Sequence, residues 1–98
     1  MKSNNSQIDR KLGKLAKIFS KLGNEDDISL FLSDICTPTE IESIADRWEV
    51  AQLLKENLSY REIYSRTGVS ITTIGRVARY LNIGDGGYKI ALTRINDE

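Results

Sequence analysis

Residues 59–81 read SYREIYSRTGVSITTIGRVARYL, and this stretch decides the fold. Ser59 and Glu62 have the spacing of a capping box, in which the two side chains cap the first turn of a helix. A short helix is therefore predicted over about 60–67. Gly68 follows it, and glycine adopts without steric cost the left-handed conformation that ends many helices.

A second helix is predicted to begin after Ser70, which can cap it, and to run to about residue 81. Val69 and Ile74 have the spacing of a hydrophobic staple, which sets the angle at which the chain enters the helix. Two short helices joined by a tight glycine turn and held by such apolar residues are typical of a helix-turn-helix. In that motif the second helix presents its exposed N-terminal half to the major groove of DNA.

The outward-facing residues of this helix-turn-helix are predicted to contact double-stranded DNA. Arg76 and the segment 70–73 are expected to read bases, because arginine can bond guanine bidentately, hydroxyls can bond base edges and isoleucine can touch a thymine methyl. Tyr60, Arg61 and Arg79 are expected to bind phosphates. The full predicted set is Tyr60, Arg61, Ser70, Ile71, Thr72, Thr73, Arg76 and Arg79.

Tyr64 departs from the usual pattern, because many helix-turn-helix motifs have a small residue at this position. Its ring must either splay the two helices apart or turn away from them. The alternative interpretation of 59–81 is an ordinary helical hairpin whose arginines form a solvated face. A separate alternative concerns function: helix-turn-helix units can also bind other proteins, so the motif could act as a protein-interaction module.

The rest of the chain is also predicted to be helical, which makes an all-α protein of about six helices. Apolar residues recur at steps of three and four, and long alternating runs typical of strands are absent from the sequence. The first predicted helix covers about 8–22, and a second, capped by Asn24, buries Ile28, Phe31, Leu32 and Ile35. A third is predicted over about 38–56 after a capping box at Thr37. The last is predicted over 88–96, with Asp85 as its cap.

The chain of 98 residues is expected to form a single domain whose small core favours oligomerisation. Its net charge is zero, but the charge is segmented. Residues 1–22 carry six basic side chains and one acid, a net charge of +5, whereas 23–58 carry nine acids and two bases, a net charge of −7. Residues 59–81 carry four arginines and one glutamate, a net charge of +3, and 82–98 carry two bases and three acids, a net charge of −1. Neutrality does not exclude DNA, because local positive potential sets the affinity for phosphates.

Composition excludes several functional classes. Histidine is absent from the sequence, so the usual general base and the commonest metal ligand are missing, and no enzymatic, metal or cofactor site is predicted. Cys36 is the single cysteine, which suits a reducing compartment. No apolar run is long enough for a membrane span, and the N-terminus lacks the apolar core of a signal peptide. A cytoplasmic protein without membrane partners is therefore predicted.

A helix opened by Thr-Pro-x-Glu and followed by a helix-turn-helix resembles the Trp-repressor superfamily, over about residues 28–81. The resemblance is closer to the YerC/YecD-type Trp-repressor-like branch and extends over nearly the whole chain. The stretches that carry it are LSDICT (32–37), ADRWEVA (45–51), TGVSITTIGRV (67–77), YLNIGD (80–85), Tyr88 and Ala91-Leu92.

This resemblance implies an intertwined helical homodimer that acts as a sequence-specific transcriptional regulator, most simply a repressor. In that architecture 8–56 and 88–96 form the dimer core, and 59–81 projects from each subunit as a reading head. The two half-sites of a near-palindromic operator would then lie about 34 Å apart.

The resemblance also points to a position for an effector. In the Trp repressor the corepressor lies between two arginines and near a threonine, and Thr37, Arg47 and Arg76 stand at the matching positions. For Arg47 the alternative is a structural salt bridge to Glu40 or Asp46.

Two larger side chains argue against tryptophan as that effector. Val77 stands where the family has glycine, and Tyr80 where it has serine, so both would intrude on the indole site. Trp48 and Tyr80 can fill this site with the protein's own rings. The resemblance thus implies regulation without tryptophan, and both constitutive DNA binding and an unidentified small-molecule effector stay open.

Overall fold

The computed structural model describes residues 5–96, and within this range the chain folds into six α-helices without a β-strand. The helices are α1 (Ser6–Leu22), α2 (Glu25–Ile35), α3 (Pro38–Lys55), α4 (Tyr60–Thr67), α5 (Ile71–Ile83) and α6 (Gly87–Ile95). This confirms the predicted all-α class and the predicted number of helices.

Polar caps determine where the early helices start. The Asn24 side chain accepts a hydrogen bond from the N–H of Asp27 at 2.9 Å and caps α2. At α3 both bonds of the capping box form: the N–H of Glu40 donates to Thr37 Oγ1 at 3.1 Å, and the N–H of Thr37 donates to Glu40 Oε1 at 2.8 Å. Both predicted caps are confirmed.

One predicted boundary and one predicted cap are wrong where α5 meets α6. Helix α5 continues to Ile83, two residues beyond the predicted end, because the N–H of Gly84 still donates to the carbonyl of Tyr80 at 2.9 Å. Asp85 does not cap α6. The N-cap is Gly86 with φ +92°, and no side chain bonds to the first turn. Glycine takes this φ without strain, so backbone conformation rather than a carboxylate starts the helix.

The chain divides into two compact units, and the first extends to Ile41. Phe19 of α1 and Phe31 of α2 meet edge to face, with ring centroids 5.6 Å apart. Neither helix has a buried side chain. The predicted buried stripe of α2 is therefore wrong for Ile35, which is 50% exposed, while its other members are half-buried. The exposed apolar residues of α1 are Ile8, Leu12, Leu15 and Ile18.

The second compact unit begins at Glu42, and its core lies where α3, α4 and α5 meet. Val69 and Ile74 are both buried in this core, as the predicted hydrophobic staple requires. The complete buried cluster is Val50, Ala51, Ile63, Val69, Ile74 and Val77, with Trp48, Leu53, Leu54, Leu58 and Tyr88 packed against it. These contacts join the helix-turn-helix to the long α3 as one body.

No helix among the described residues is both long and apolar enough to cross a membrane. The assignment of 1–98 to one domain, with a dimer core of 8–56 and 88–96, stays a prediction.

Candidate nucleic-acid interface

Helices α4 and α5 are joined by a three-residue turn, 68–70, in which two N–H groups have hydrogen-bond partners. Gly68 has φ +76°, and its N–H donates to the carbonyl of Tyr64 at 2.8 Å. The hydroxyl of Thr67 donates to the carbonyl of Ile63 at 2.7 Å and accepts the N–H of Val69 at 3.0 Å. The turn is thus held by glycine geometry and one threonine hydroxyl. The threonine bonds were not foreseen from the sequence.

The start of α4 differs from the predicted capping box. Ser59 Oγ accepts the N–H of Glu62 at 3.1 Å, as expected. The reciprocal bond is absent among the described residues, because the Glu62 carboxylate pairs with Arg66 one turn later, at 3.1 Å. Only half of the box forms, since the exposed glutamate has a cationic partner on the same helix face.

Tyr64 does not separate the two helices. Its side chain is 52% exposed, so the ring turns outward. Ile63 and Ile74, on facing sides of α4 and α5, remain fully buried. Of the two possibilities considered for this tyrosine, the outward ring is the one that occurs.

Ser70, the N-cap of α5, and Thr73 in its first turn lie beside α3. Ser70 Oγ accepts the N–H of Thr73 at 3.1 Å, and the two hydroxyls are also 3.1 Å apart within hydrogen-bonding geometry. Both residues line a cleft of about 210 Å³ that also contacts Ser43, Asp46 and Arg47 of α3. Thr73 is half-buried there, whereas Ser70 remains exposed.

A second group of residues forms an exposed face along α5. A surface depression of about 410 Å³ is lined by Thr72, Gly75, Arg76, Arg79 and Tyr80. Ile71, at the start of the helix, is 50% exposed. Tyr60 of α4 reaches this face, because its Cε2 lies 4.0 Å from the place where a Cβ on Gly75 would stand. The structure thus brings residues from both helices together around the middle of α5, and Arg61 is exposed on α4 beside Tyr60. We use the name reading face for the exposed residues of α4 and α5 that the sequence predicts to contact DNA: Tyr60, Arg61, Ile71, Thr72, Arg76 and Arg79.

The charges of the reading face are uncompensated. Arg66 shares its charge with Glu62, and this is the one ion pair among the described residues. Arg61, Arg76 and Arg79 are exposed and have no carboxylate partner within residues 5–96. Three arginines without counter-charges give a surface that attracts anions.

Arg76 has a partner of another kind. Its guanidinium carbon lies 4.8 Å from the centroid of the Tyr80 ring, which is a cation–π distance. The spacing of four residues on one helix could have revealed this contact from the sequence.

Arg47 lines a cleft rather than forming a salt bridge. It has no ion pair among the described residues, and the Glu40 carboxylate bonds to the N–H of Thr37 instead, so the predicted pairing with Glu40 or Asp46 is wrong. The cleft measures about 470 Å³, and its walls come from α3, the end of α5 and α6. Its lining residues are Ile44, Arg47, Trp48, Tyr80, Gly84, Asp85, Gly87, Tyr88 and Ala91.

The residues predicted to surround an effector belong to both compact units. Thr37 belongs to the first compact unit, where it caps α3. Arg47 lies on the 470 Å³ cleft, and Arg76 is stacked on Tyr80, which lines the same cleft. Val77 is buried in the core and is not part of the cleft wall. The α6 contribution was not foreseen, because only the tertiary fold brings it to Arg47.

Comparison with known proteins agrees with this architecture. The model of the Trp repressor protein family matches residues 10–96. The chain is 41% identical to YerC of Bacillus subtilis (strain 168) over 95 residues, covering 93% of this chain and 91% of the relative. It is 42% identical over 76 residues to the Trp operon repressor homolog of Xylella fastidiosa (strain 9a5c), with 76% and 80% covered. It is also similar to the crystal structure of a TrpR-like protein from Eubacterium eligens, with a TM-score of 0.85, 35% identity, and 94% and 96% covered.

Proposed function

Because the chain belongs to the Trp repressor family of transcriptional regulators, and to its YerC-type TrpR-like members, we propose that it binds double-stranded DNA sequence-specifically as a homodimer. The proposed operator is near-palindromic, with half-sites about 34 Å apart. The proposed action is repression in the cytoplasm without tryptophan as corepressor. No enzymatic step is part of this proposal.

The observation that carries the proposal is the reading face, which has three arginines without a carboxylate partner among the described residues: Arg76 and Arg79 on the exposed side of α5, and Arg61 on α4. A helix with its side chains is about 10–12 Å across, which matches a major groove about 12 Å wide. Arg76 and Thr72 both line the depression on the exposed side of α5, so we assign them to base edges. Ile71, half-exposed at the start of α5, is assigned to a thymine methyl.

Phosphates are assigned to the edges of the same face. Tyr60 and Arg61 lie at the N-terminal end of α4, where the helix dipole favours anions. Arg79 lies one turn beyond the base-reading residues of α5. Ser70 and Thr73 were expected from the sequence to read bases, but their hydroxyls bond each other beside α3, so we assign them instead to the phosphate nearest the helix start.

The homodimer is proposed because the first compact unit leaves its apolar side chains uncovered. Ile8, Leu12 and Leu15 of α1 are between 41 and 51% exposed, and no side chain of α1 or α2 is buried. A lone chain this small gains little from such helices, so a second copy is the natural cover. The charge pattern also suits self-association, because 1–22 is net positive and 23–58 is net negative.

A small-molecule effector is a second candidate, favoured by the 470 Å³ cleft. Its volume falls in the usual range for ligand sites, and Trp48, Tyr80 and Tyr88 give it aromatic walls beside the Arg47 guanidinium. This chemistry fits a small aromatic anion. A thermal-shift screen of aromatic carboxylates against the intact protein tests it, and Arg47→Ala should remove any stabilisation seen.

Selection of bound sites from random duplex DNA tests the main proposal directly. We expect a palindromic motif, and an affinity that falls steeply with salt because each phosphate contact releases counterions. Arg76→Ala should weaken binding to the selected duplex by about 1–3 kcal/mol and relax the preference at one base pair of each half-site. Arg66→Ala is the matched control, because its guanidinium is already paired with Glu62.

Enrichment of no sequence would contradict the proposal. The protein-interaction alternative would then be preferred, and its binding should show little dependence on salt. A motif without two-fold symmetry, together with a monomeric mass in solution, would contradict the homodimer alone.

A further inference from the structure

Arg76 of the reading face contacts the ring of Tyr80, which lies one turn further along α5. The Arg76 guanidinium carbon lies 4.8 Å from the ring centroid of Tyr80. Both residues also line the depression on the exposed side of α5 with Thr72 and Arg79. The arginine assigned to base reading is therefore stacked on a protein ring in the free chain.

The backbone of Tyr80 is hydrogen-bonded within α5. The carbonyl of Tyr80 accepts the N–H of Gly84 at 2.9 Å, so the helix is continuous through this residue. A Cβ added to Gly84 would overlap the carbonyl group of Tyr80, whose carbon would lie 3.2 Å away. Only glycine therefore fits at position 84 without a shift of the backbone. Tyr80 also lines the 470 Å³ cleft with Trp48 and Arg47, so it borders both surfaces.

An unrestrained arginine samples many rotamers and loses that freedom when it bonds a base. An aromatic ring that holds the guanidinium removes part of this loss in advance. We propose that Tyr80 is a positioning residue for base recognition: its ring holds the Arg76 guanidinium at the reading face, so that the arginine is ordered before DNA arrives. This inference rests on the proposed function, because it assigns a specificity role within the same DNA-binding surface.

The free protein gives the first test. In the wild-type chain the ring current of Tyr80 should shift the side-chain proton resonances of Arg76 upfield in an NMR spectrum. Tyr80→Phe keeps the ring and should keep this shift, whereas Tyr80→Leu should abolish it. An arginine whose resonances are the same in the wild-type and Tyr80→Leu proteins would overturn the inference. Far-ultraviolet circular dichroism of each variant checks that the helices are intact.

Binding to the selected duplex gives the second test, as a double-mutant cycle. Tyr80→Leu should weaken binding about two- to fivefold, which is the range for a cation–π contact at an exposed site, and should broaden the preference at the base pair read by Arg76. Tyr80→Phe should bind like the wild type. In the Arg76→Ala background, Tyr80→Leu should cause no further loss. The salt dependence should stay unchanged, because no phosphate contact is removed.

Tyr64→Leu is the matched control, because this tyrosine of α4 is also about half exposed and no arginine stacks on it among the described residues. It should bind DNA like the wild type. An equal loss from Tyr80→Leu with and without Arg76 would overturn the inference, since Tyr80 would then act independently of the arginine. Tighter binding by Tyr80→Leu would also overturn it, since the ring would be withholding Arg76 from DNA.

These outcomes separate the inference from the proposed function. If the wild-type protein binds a selected duplex and Tyr80→Leu behaves like the wild type, only the positioning role fails. If the wild-type protein enriches no duplex, the proposed function fails and the positioning role fails with it.

Discussion

Replacing Gly68 with alanine should destabilise the protein, whereas the same replacement at Gly75 should stabilise it. Both glycines belong to the helix-turn-helix, and both have room for a Cβ. Nothing lies within 4 Å of an added Cβ at Gly68, and only Tyr60 Cε2, at 4.0 Å, is near one at Gly75. The difference between the sites is the backbone: Gly68 has φ +76°, whereas Gly75 lies inside α5.

The magnitude follows from these conformations. An L-residue in the left-handed region costs about 1–2 kcal/mol, so Gly68→Ala should lower the free energy of unfolding by about that amount. Alanine inside a helix is favoured over glycine by about 0.5–1 kcal/mol, so Gly75→Ala should raise it. For a chain of this size each kcal/mol moves the melting temperature by about 4–8 °C. The two variants should therefore melt on opposite sides of the wild type.

Thermal denaturation followed by far-ultraviolet circular dichroism measures the effect. All variants must be compared at one protein concentration, because the melting temperature of a dimer depends on it. Gly68→Asn is a useful third variant, because asparagine tolerates the left-handed region better than alanine and should lose less stability. Equal melting temperatures for Gly68→Ala and Gly75→Ala would refute the reasoning from backbone conformation.

Three further outcomes are expected. Ser59→Ala and Ser70→Ala each remove one N-cap hydrogen bond, and each should lower the free energy of unfolding in urea by about 0.5–2 kcal/mol. Only Ser70→Ala should also weaken DNA binding beyond its effect on stability. Equal DNA affinities of the two variants would contradict the contact assigned to Ser70. Ile74→Ala should cost about 2–5 kcal/mol because its side chain is fully buried, while half-exposed Ile71→Ala should change the unfolding free energy little, and similar losses at both positions would contradict the described core. Free L-tryptophan should change neither the melting temperature nor the DNA affinity, and an increase in either would show that the protein binds it.

Much of the fold could be predicted from the chain because its signals act over short distances. Caps at Asn24 and Thr37 bond to residues three positions later, and Gly68 ends α4 through its own backbone. Such interactions depend on neighbours in sequence, so spacing alone is enough to locate them. Misplaced boundaries occur where a local signal had a competitor, as at Asp85, where Gly86 starts α6 instead.

The candidate site was predicted less completely. The sequence predicts that Arg76 reads bases, and the resemblance predicts that Tyr80 intrudes on an effector site. Neither predicts the contact between the Arg76 guanidinium and the Tyr80 ring. The sequence predicts a single role, base reading, for all of residues 70–73. In the structure Ser70 and Thr73 lie beside α3, while Thr72 lies on the exposed side of α5 with Arg76. Helical periodicity separates these positions by about 100° per residue, so a single run of sequence is divided between two surfaces.

For residues 59–81, the sequence by itself determined that two helices would form, where the turn between them would lie and that Val69 and Ile74 would pack as a staple. These features come from φ at glycine, capping side chains and hydrophobic spacing, all within a few residues. Only the tertiary structure decided that Arg47 faces Tyr80, Tyr88 and an open cleft instead of an acidic partner. That arrangement needs α3, α5 and α6 to meet, and contacts between residues more than thirty positions apart are decided by packing rather than by local spacing.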